Sequence, residues 1–386
     1  MNAGEIKVLM ISLDETLLGG RAGGDAYERH VGFSKEIGAT DIVVLGKKRS
    51  DSLEKGNLTV KGTGEKNLIK RFYAGYRIAE ALARKNDYSL VTTQDPFLTG
   101  LVGYMVSKKF NIPLNIQLHA DFLDNSYWIK ENRINILLNI FAKYIIKKAG
   151  TARVVSSRML DKLVSIGFNK DNVFFIPTGC GIPVENFSSG DKQRARDELG
   201  LPRDKKIVLF VGRLVRQKSL YDFIDTADAL LKRRKDALFL IVGNGPERAG
   251  LKDYAAGLDL GTRLRFIDEV AYGAAAKYYR AADVFLLTSK YEGTARVLEE
   301  AAASSLPIIT TAVSGAEDVV RDGHNGYIIP MGNKGAMADK LEALLENPQD
   351  MERMGRAGRL VAEKYYDRKK NIGKLIDMWV VASKKQ

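Results

Sequence analysis

Short apolar runs rich in Val, Ile and Leu alternate with longer amphipathic segments along almost the whole chain. The candidate strands are 7–13, 41–46, 89–93, 113–119, 153–157, 173–177, 206–212, 237–243, 263–269, 283–289 and 307–312. Amphipathic segments such as 25–38 and 67–86 separate them. Near-continuous apolar strands joined by helices are typical of parallel sheets covered on both faces. The sequence therefore predicts an α/β protein built from two doubly wound, Rossmann-like sheets.

A segment rich in turn-forming residues, 177–193, separates the two halves of this pattern. With 386 residues the chain is long enough for two domains of ordinary size. We expect one domain over 1–185, a second over 186–365, and a C-terminal helix over 366–386 that packs back on the first. Ligands of open parallel sheets bind outside the carboxyl ends of the strands. That rule predicts a ligand site in a cleft between the two domains.

The charge balance is basic, with 60 Lys and Arg against 47 Asp and Glu, which gives a formal net charge of +13. This excess indicates an anionic partner, either nucleic acid, an anionic membrane or a phosphate-bearing ligand. A nucleic-acid binder would need basic residues interleaved with stacking aromatics, or a recognisable module, and we find neither. The single cysteine, Cys180, excludes an internal disulfide. With only three histidines in addition, a His/Cys metal site is not expected.

The apolar run at 134–142 is far too short to predict a membrane span, and the N-terminus resembles a strand rather than a signal peptide. A cytoplasmic protein is therefore expected. The segment 127–150 is both apolar and basic, which raises peripheral contact with the inner membrane face as an alternative. Because polar residues form only a narrow stripe on it, we expect this segment to be a helix packed in the core.

Two segments that follow predicted strands are suited to anions. The Gly-rich segment 19–26, which includes Gly23 and Gly24, lets the backbone approach an anion closely and opens a helix. A flexible surface turn is the alternative explanation.

The second anion-binding candidate begins at Gly212, where a predicted strand ends. Arg213 and Lys218 follow it. Arg can clamp a phosphate with two hydrogen bonds, and Lys supplies a compact positive charge. A solvated basic loop is the alternative. His119 also ends a strand, and there it could orient a sugar or polarise a leaving phosphate, although a lone His is more often structural.

Three glutamates follow the strand 283–289. Glu292 lies on a loop, whereas Glu300 lies in the second turn of a helix that begins near Thr294. Glu299 is expected to be solvated. A carboxylate that accepts two hydroxyl hydrogen bonds is a common way to hold a ribose, and the first N–H groups of the helix favour a phosphate. Surface glutamates without a ligand are the alternative.

Together these segments resemble glycosyltransferase family 4, retaining enzymes with the GT-B fold. The resemblance covers nearly the whole chain and is strongest from 206 to 330. GRLVRQKS is similar to the family's G-R-L-x-x-x-K-G, and LIVGNGPE to its I-V-G-x-G-P turn. YEGTARVLEEAAASSLPIITT resembles the E-x7-E signature, and AVSGAEDVVRDGHNGYII resembles the turn G-G-x-x-E-I-V-x-D-G-x-N-G.

The resemblance implies an N-terminal acceptor-side domain, a C-terminal domain that binds a nucleotide-sugar donor, and a role for each matching residue. Arg213 and Lys218 would neutralise the donor diphosphate, Glu300 would hold the ribose, and Glu292 and His119 would contact the transferred sugar. The remaining implied donor contacts are backbone groups, at Gly23, Gly24, Gly212, Gly293, Thr294, Ala295 and Arg296.

The implied activity is transfer of a hexose-type sugar from UDP- or GDP-sugar to a sugar or lipid-linked acceptor, with no metal and no cofactor. The chain departs from the family at Thr294 and Ala295, where Phe and Gly are usual, and at Ser219, Ser305 and Asp318. Three alternatives stay open: a GT-B nucleotide-sugar epimerase, a phosphorylase, and a non-catalytic protein that binds a nucleotide sugar or another anion.

Overall fold

The computed structural model describes residues 2–18, 26–187, 190–293 and 295–385. The chain divides into two compact units. Unit 1 is Met1–Cys180 with Lys369–Gln386, and unit 2 is Gly181–Arg368. These divisions lie a few residues from the boundaries predicted from the sequence.

The described part of unit 1 contains an eight-stranded sheet covered by helices. Its strands are β1 (Lys7–Ser12), β2 (Ala39–Val44), β3 (Arg49–Lys55), β4 (Leu58–Thr63), β5 (Leu90–Thr93), β6 (Leu114–Leu118), β7 (Thr151–Val154) and β8 (Val173–Phe175). Its first helices are α1 (Ala26–Lys35), α2 (Leu68–Lys85), α3 (Leu98–Phe110), α4 (Ser126–Glu131), α5 (Ile134–Ile146) and α6 (Ser157–Ser165).

The described part of unit 2 contains a six-stranded sheet. Its strands are β9 (Lys206–Val211), β10 (Ala237–Val242), β11 (Leu264–Ile267), β12 (Val284–Leu287), β13 (Ile308–Thr311) and β14 (Gly326–Ile329). Its helices are α7 (Lys192–Glu198), α8 (Leu220–Leu231), α9 (Arg248–Ala256), α10 (Tyr272–Ala281), α11 (Arg296–Ala303), α12 (Ala316–Val319), α13 (Lys334–Glu346) and α14 (Pro348–Val361). The last helix of the chain is α15 (Arg368–Ala382), and its residues from Lys369 belong to unit 1.

Both sheets are doubly wound, as the alternation of the sequence predicts. The strand order is β3-β4-β2-β1-β5-β6-β7-β8 in unit 1 and β11-β10-β9-β12-β13-β14 in unit 2. Only β3 is antiparallel to its neighbour among these pairs. In each sheet the direction of winding reverses once, between β1 and β5 and between β9 and β12. Ligands of such sheets bind beyond the carboxyl ends of the strands at that point of reversal.

The strands predicted from the sequence are all present, but β3, β4 and β14 were not predicted. The pair β3 and β4 is a hairpin closed by Gly56 and Asn57, with Gly56 at φ 59°. A two-residue loop that begins with Gly is a hairpin signal. On β4 buried residues alternate with half-buried ones, so the strand lacks the continuous apolar run by which the others were recognised.

The exposed apolar side of α5 contradicts the expectation that the segment 127–150 is a helix packed in the core. Its buried side carries Asn135, Asn139, Ala142, Ile145 and Ile146. Five large apolar side chains on the helix are each more than half exposed, and they are Ile134, Ile136, Leu137, Ile140 and Tyr144. A step of about 100° per residue puts Ile136, Leu137, Ile140 and Tyr144 on the side opposite the buried residues, whereas Ile134 is the first residue of the helix.

Helix α15 completes the core of unit 1. Leu375, Met378 and Trp379 are buried in the same apolar cluster as Ile6 and Val8. The last helix of the chain therefore packs on the sheet that the first strand begins.

Candidate active site

The carboxyl ends of β9 and β12 are adjacent in unit 2 because these strands pair in parallel. The loop after β9 contains Arg213 and Lys218, and the loop after β12 contains Glu292. In sequence these two loops are far apart, but the strand order brings them to one edge of the sheet. This is the point of reversal at which a ligand site is expected.

Lys218 and Glu292 are in direct contact. The Lys218 Nζ donates to Glu292 Oε1 at 2.5 Å, and their side chains are 15% and 7% exposed. Two more hydrogen bonds join the loops, since Lys290 N donates to Gln217 O and the side-chain Nε2 of Gln217 donates to Tyr291 O, both at 2.8 Å. The pair is therefore held in place by the loops that carry it, and not by the ion pair alone.

Glycine and a strained serine shape the β9 loop. Ser219 has φ 47° and ψ 47°, a left-handed conformation that favours glycine, which is the usual family residue at this position. Its Oγ donates to Asp222 Oδ2 at 2.7 Å at the start of α8. A Cβ on Gly243 would collide with the Gly212 carbonyl, so the loops after β9 and β10 touch backbone to backbone there.

Arg213 lies on the same loop, directly after Gly212, and is exposed. The structure thus separates the two cations predicted for the site: Lys218 is largely buried in an ion pair, and Arg213 is open to solvent.

Glu300 lies on α11 and is 5% exposed. The hydroxyl of Tyr279, on α10, donates to Glu300 Oε2 at 2.8 Å, and Arg296 Nε lies 3.6 Å from Oε1. Tyr279 fixes one carboxylate oxygen, a partner that no sequence motif indicated. Gly293 and Ala295 are buried just before the helix, whereas Thr294 lies outside the described residues.

Glu299 was expected to be solvated, and that expectation is wrong. Its exposure is 0%, and neither carboxylate oxygen has a hydrogen-bond partner among the described residues. Burial raises the pKa of Glu299 well above its ordinary value, and Glu300 adds to the rise while Arg296 and Arg368 oppose it. On α11, Glu300 is therefore held by Tyr279, whereas the preceding residue, Glu299, is buried in the core.

Three of the predicted site residues, Gly23, Gly24 and His119, belong to the N-terminal half of the chain. Gly23 and Gly24 lie outside the described residues. His119 follows β6 and is half-buried, and its Nδ1 has no hydrogen-bond partner within the part of the chain that the structure describes. Burial, with Arg153, Arg29 and His30 nearby, lowers the pKa of His119 to about 3. The imidazole is therefore neutral at pH 7.

The described ranges contain no group of three or more His, Cys, Asp or Glu side chains that could hold a metal ion. Likewise, none of the helices described is long and apolar enough to cross a membrane.

Comparison with known proteins agrees with this geometry. The family Glycosyl transferases group 1 matches residues 191–361, and Glycosyltransferase Family 4 matches residues 41–181. A D-inositol 3-phosphate glycosyltransferase from Mycobacteroides abscessus is 30% identical over 71% of this chain and 62% of its own length.

Among solved structures, a sucrose-phosphate synthase from Thermosynechococcus elongatus has a TM-score of 0.83 at 22% identity and covers 98% of this chain and 99% of its own. Anabaena HepE in complex with UDP and glucose has a TM-score of 0.78 at 16% identity, with 98% and 100% covered. These likenesses show the GT-B fold. With the two family matches, one in each unit, the chain belongs to the group 1, family 4 glycosyltransferases.

Proposed function

We propose that this protein moves a hexose-type sugar from a UDP- or GDP-linked donor to a sugar or lipid-linked acceptor. The transfer retains the anomeric configuration and uses no metal ion. The observation that carries the proposal is the contact between Lys218 and Glu292 where the winding of the unit 2 sheet reverses. HepE, which shares the fold, is described in complex with UDP and glucose, and this supports a nucleotide-sugar donor.

The pair would act by exchanging partners when the donor binds. Breaking the bond between the sugar and the diphosphate leaves negative charge on the phosphate and positive charge on the sugar. Lys218 would donate to the leaving phosphate, with Arg213 supplying further charge from the exposed side of the loop. Glu292 would accept hydrogen bonds from sugar hydroxyls. Fixed charges that meet the developing charges of the transition state lower the barrier.

Glu300 would hold the ribose. Tyr279, which donates to Oε2, would orient this carboxylate for the ribose hydroxyls. The backbone N–H groups at the start of α11 would face the diphosphate, since a helix N-terminus favours negative charge. No side chain is assigned as a nucleophile, and the leaving phosphate is proposed to take the proton of the acceptor hydroxyl.

A nucleotide panel tests this proposal. UDP or GDP at 100 times its dissociation constant should stabilise the protein by about 2.7 kcal/mol, read as a rise in melting temperature, while ADP should not. The variant Glu300→Ala should lose most of that shift, and Glu346→Ala, which changes an exposed glutamate on α13, should keep it. A protein that no nucleotide stabilises would exclude the donor site. Once the nucleotide base is known, the product of the transfer can be examined by NMR. Its anomeric proton signal should show the same anomeric configuration as the donor sugar.

We also propose that unit 1 binds peripherally to an anionic membrane through α5. Five apolar side chains of this helix are more than half exposed, and Lys130, Arg133, Lys143, Lys147 and Lys148 lie on it or beside it. An apolar face flanked by cations is what an interfacial helix presents to acidic lipids. Such a surface would bring the enzyme to a lipid-linked acceptor.

Vesicle sedimentation tests the membrane contact. The protein should sediment with vesicles that contain phosphatidylglycerol, and far less with pure phosphatidylcholine. The double variant Leu137→Glu/Ile140→Glu should stay in the supernatant because two charges now face the bilayer. Leu360→Glu replaces a side chain that is 66% exposed in unit 2 and should bind as the wild type does. Unchanged sedimentation of the double variant would contradict the proposal.

A further inference from the structure

A cavity of about 440 Å³ opens at the carboxyl ends of β1, β5, β6 and β7 in unit 1. Of the residues that line it, only His119 was predicted to be functional. Others are Arg153 on β7, His30 on α1, Gln117 on β6 and Trp379 on α15. The cavity therefore combines side chains from elements distant in sequence, at the point where the winding of this sheet reverses.

Arg153 is a buried cation without an acidic partner. It is 4% exposed, and its guanidinium donates to Gln117 Oε1 at 2.7 Å, to Ile176 O at 3.2 Å and to Pro177 O. None of the carboxylates in the described part of the chain forms an ion pair with it. Burial lowers its pKa, although a guanidinium stays charged at neutral pH. A buried charge of this kind is costly unless an anion accompanies it.

The two acidic side chains that line the cavity are already engaged. Asp95 accepts from Phe97 N at 2.7 Å and from Thr99 Oγ1 at 2.8 Å at the start of α3. Asp14 accepts from the N and Oγ1 of Thr16, at 3.0 and 2.6 Å. Both carboxylates are held by local turns, so neither compensates Arg153 directly.

Two other polar groups of the lining lack partners. Trp379 is 1% exposed, and its indole N–H, which can only donate, has no acceptor within the described ranges. The Nδ1 of His119 also has none. The cavity thus presents a buried guanidinium from β7, an indole N–H from α15 without an acceptor, and an imidazole after β6 whose Nδ1 has no partner in the described residues.

The lowered pKa values of two histidines indicate that the cavity is electrostatically positive. Arg153, Arg29 and His30 all lower the pKa of His119. Burial, with Arg29 and Arg153, lowers the pKa of His30 to about 4, although its bond to Ala26 O and the charge of Asp14 oppose the change. Both imidazoles are neutral at pH 7, which leaves the arginines as the cations of the cavity.

We propose that this cavity binds the acceptor and that the acceptor carries a phosphate group, with Arg153 as its counter-charge and the Trp379 indole as a donor. The proposal rests on the transferase function given above. A phosphate offers acceptor oxygens in several directions, which suits donors that come from separate elements better than a planar carboxylate does.

The histidines make the test direct, because the chain has only three and the third, His324, is exposed in unit 2. Inorganic phosphate, and then glucose 6-phosphate, is titrated into the full-length protein while the imidazole signals are followed by NMR. The signals of His30 and His119 should move saturably, and glucose should not move them. The bound anion should raise the pKa of His119 by about one unit or more. His324 should not follow the same saturation curve.

Variants separate the site from general charge effects. Arg153→Met should weaken phosphate binding roughly tenfold or more, since a charged hydrogen bond is lost. Because Arg153 also holds Ile176 and Pro177, Trp379→Phe provides an independent variant that keeps an aromatic ring at this position and removes the indole N–H; it should weaken binding several-fold. Arg77→Gln, on the exposed side of α2, makes the same change of charge as a control and should bind phosphate normally.

The outcomes are distinct from those of the donor test. If UDP or GDP stabilises the protein but phosphate leaves His30 and His119 unmoved, the acceptor inference is overturned and the transferase proposal stands. If phosphate binds equally to Arg153→Met and Trp379→Phe, the inference is overturned as well. If phosphate moves both histidines but no nucleotide binds, the cavity is an anion site and its role as an acceptor site is refuted.

Discussion

Replacing Lys218 by Met is expected to lower kcat/KM by roughly 10²–10³-fold, with most of the loss in kcat. Loss of one preorganised group that stabilises developing charge typically has an effect of this size. Lys218 is the largely buried cation beside Glu292, so its charge is screened less by solvent than that of exposed Arg213. Steady-state kinetics with the donor identified by the nucleotide panel would measure the loss.

The same change is also expected to destabilise unit 2. It leaves Glu292 buried without its partner, and breaking a buried ion pair from one side typically costs about 3–5 kcal/mol. The double variant Lys218→Met/Glu292→Gln removes both charges, so it should recover most of that stability and none of the activity. Urea denaturation and kinetics on the same samples separate the two effects.

Lys232→Met supplies the matched control. Lys232 pairs with Asp228 on α8 at 2.7 Å but is 72% exposed, so its loss should change neither stability nor rate appreciably. If Lys218→Met retained wild-type kcat/KM, the charge-neutralising role would be refuted, however stable the variant proved. If the double variant regained activity with its stability, the pair would be structural.

The pairing of Lys218 with Glu292 illustrates what sequence could predict. Each residue follows a predicted parallel strand, and the carboxyl ends of parallel strands lie on one edge of a sheet. That argument located the two loops on the ligand-binding edge. It could not supply the contact itself, because the adjacency of β9 and β12 depends on strand order. Tyr279 was missed for the same reason, since nothing in its surroundings along the chain indicates that it faces Glu300.

Helix α5 and Arg153 show a different limit. The period of an amphipathic pattern tells which residues share a side of a helix, but not which side has a packing partner. A helix apolar on nearly all sides is ordinarily buried. Here Asn135 and Asn139 face inward, with Asn135 Nδ2 donating to Trp128 O at 2.7 Å and Asn139 Nδ2 to Asp124 Oδ1 at 2.8 Å. Arg153 likewise follows no motif, and only the fold reveals that it is buried.

Glu299→Met is expected to stabilise the protein at neutral pH by about 2 kcal/mol or more. The wild-type carboxyl is fully buried without a hydrogen bond, and burying a polar group in that way costs about 1–3 kcal/mol before any charge is considered. Methionine has a similar length and fills the same space with apolar atoms. For a domain of this size the gain corresponds to a rise in melting temperature of about 2–4 °C per kcal/mol.

The stability advantage of Glu299→Met is expected to depend on pH. Burial raises the folded-state pKa of Glu299 well above its ordinary value, so the folded protein holds this proton more tightly than the unfolded chain does. In the wild type, the stability gained from this protonation is fully present below the ordinary glutamate pKa of about 4.3. It is lost as the pH rises through the pKa that Glu299 has in the folded state. The advantage of Glu299→Met should therefore be larger at pH 8 than at pH 5, measured by urea denaturation at both.

Glu346→Met, at an exposed position on α13, should show no such difference between the two pH values. The opposite result is equally informative. Arg296 and Arg368 both favour the ionised form of Glu299. If Glu299→Met destabilised the protein, most strongly at pH 8, those arginines would outweigh burial and the carboxylate would be charged in the core. A destabilisation of that kind would make Glu299 part of a buried ionic network behind the donor site.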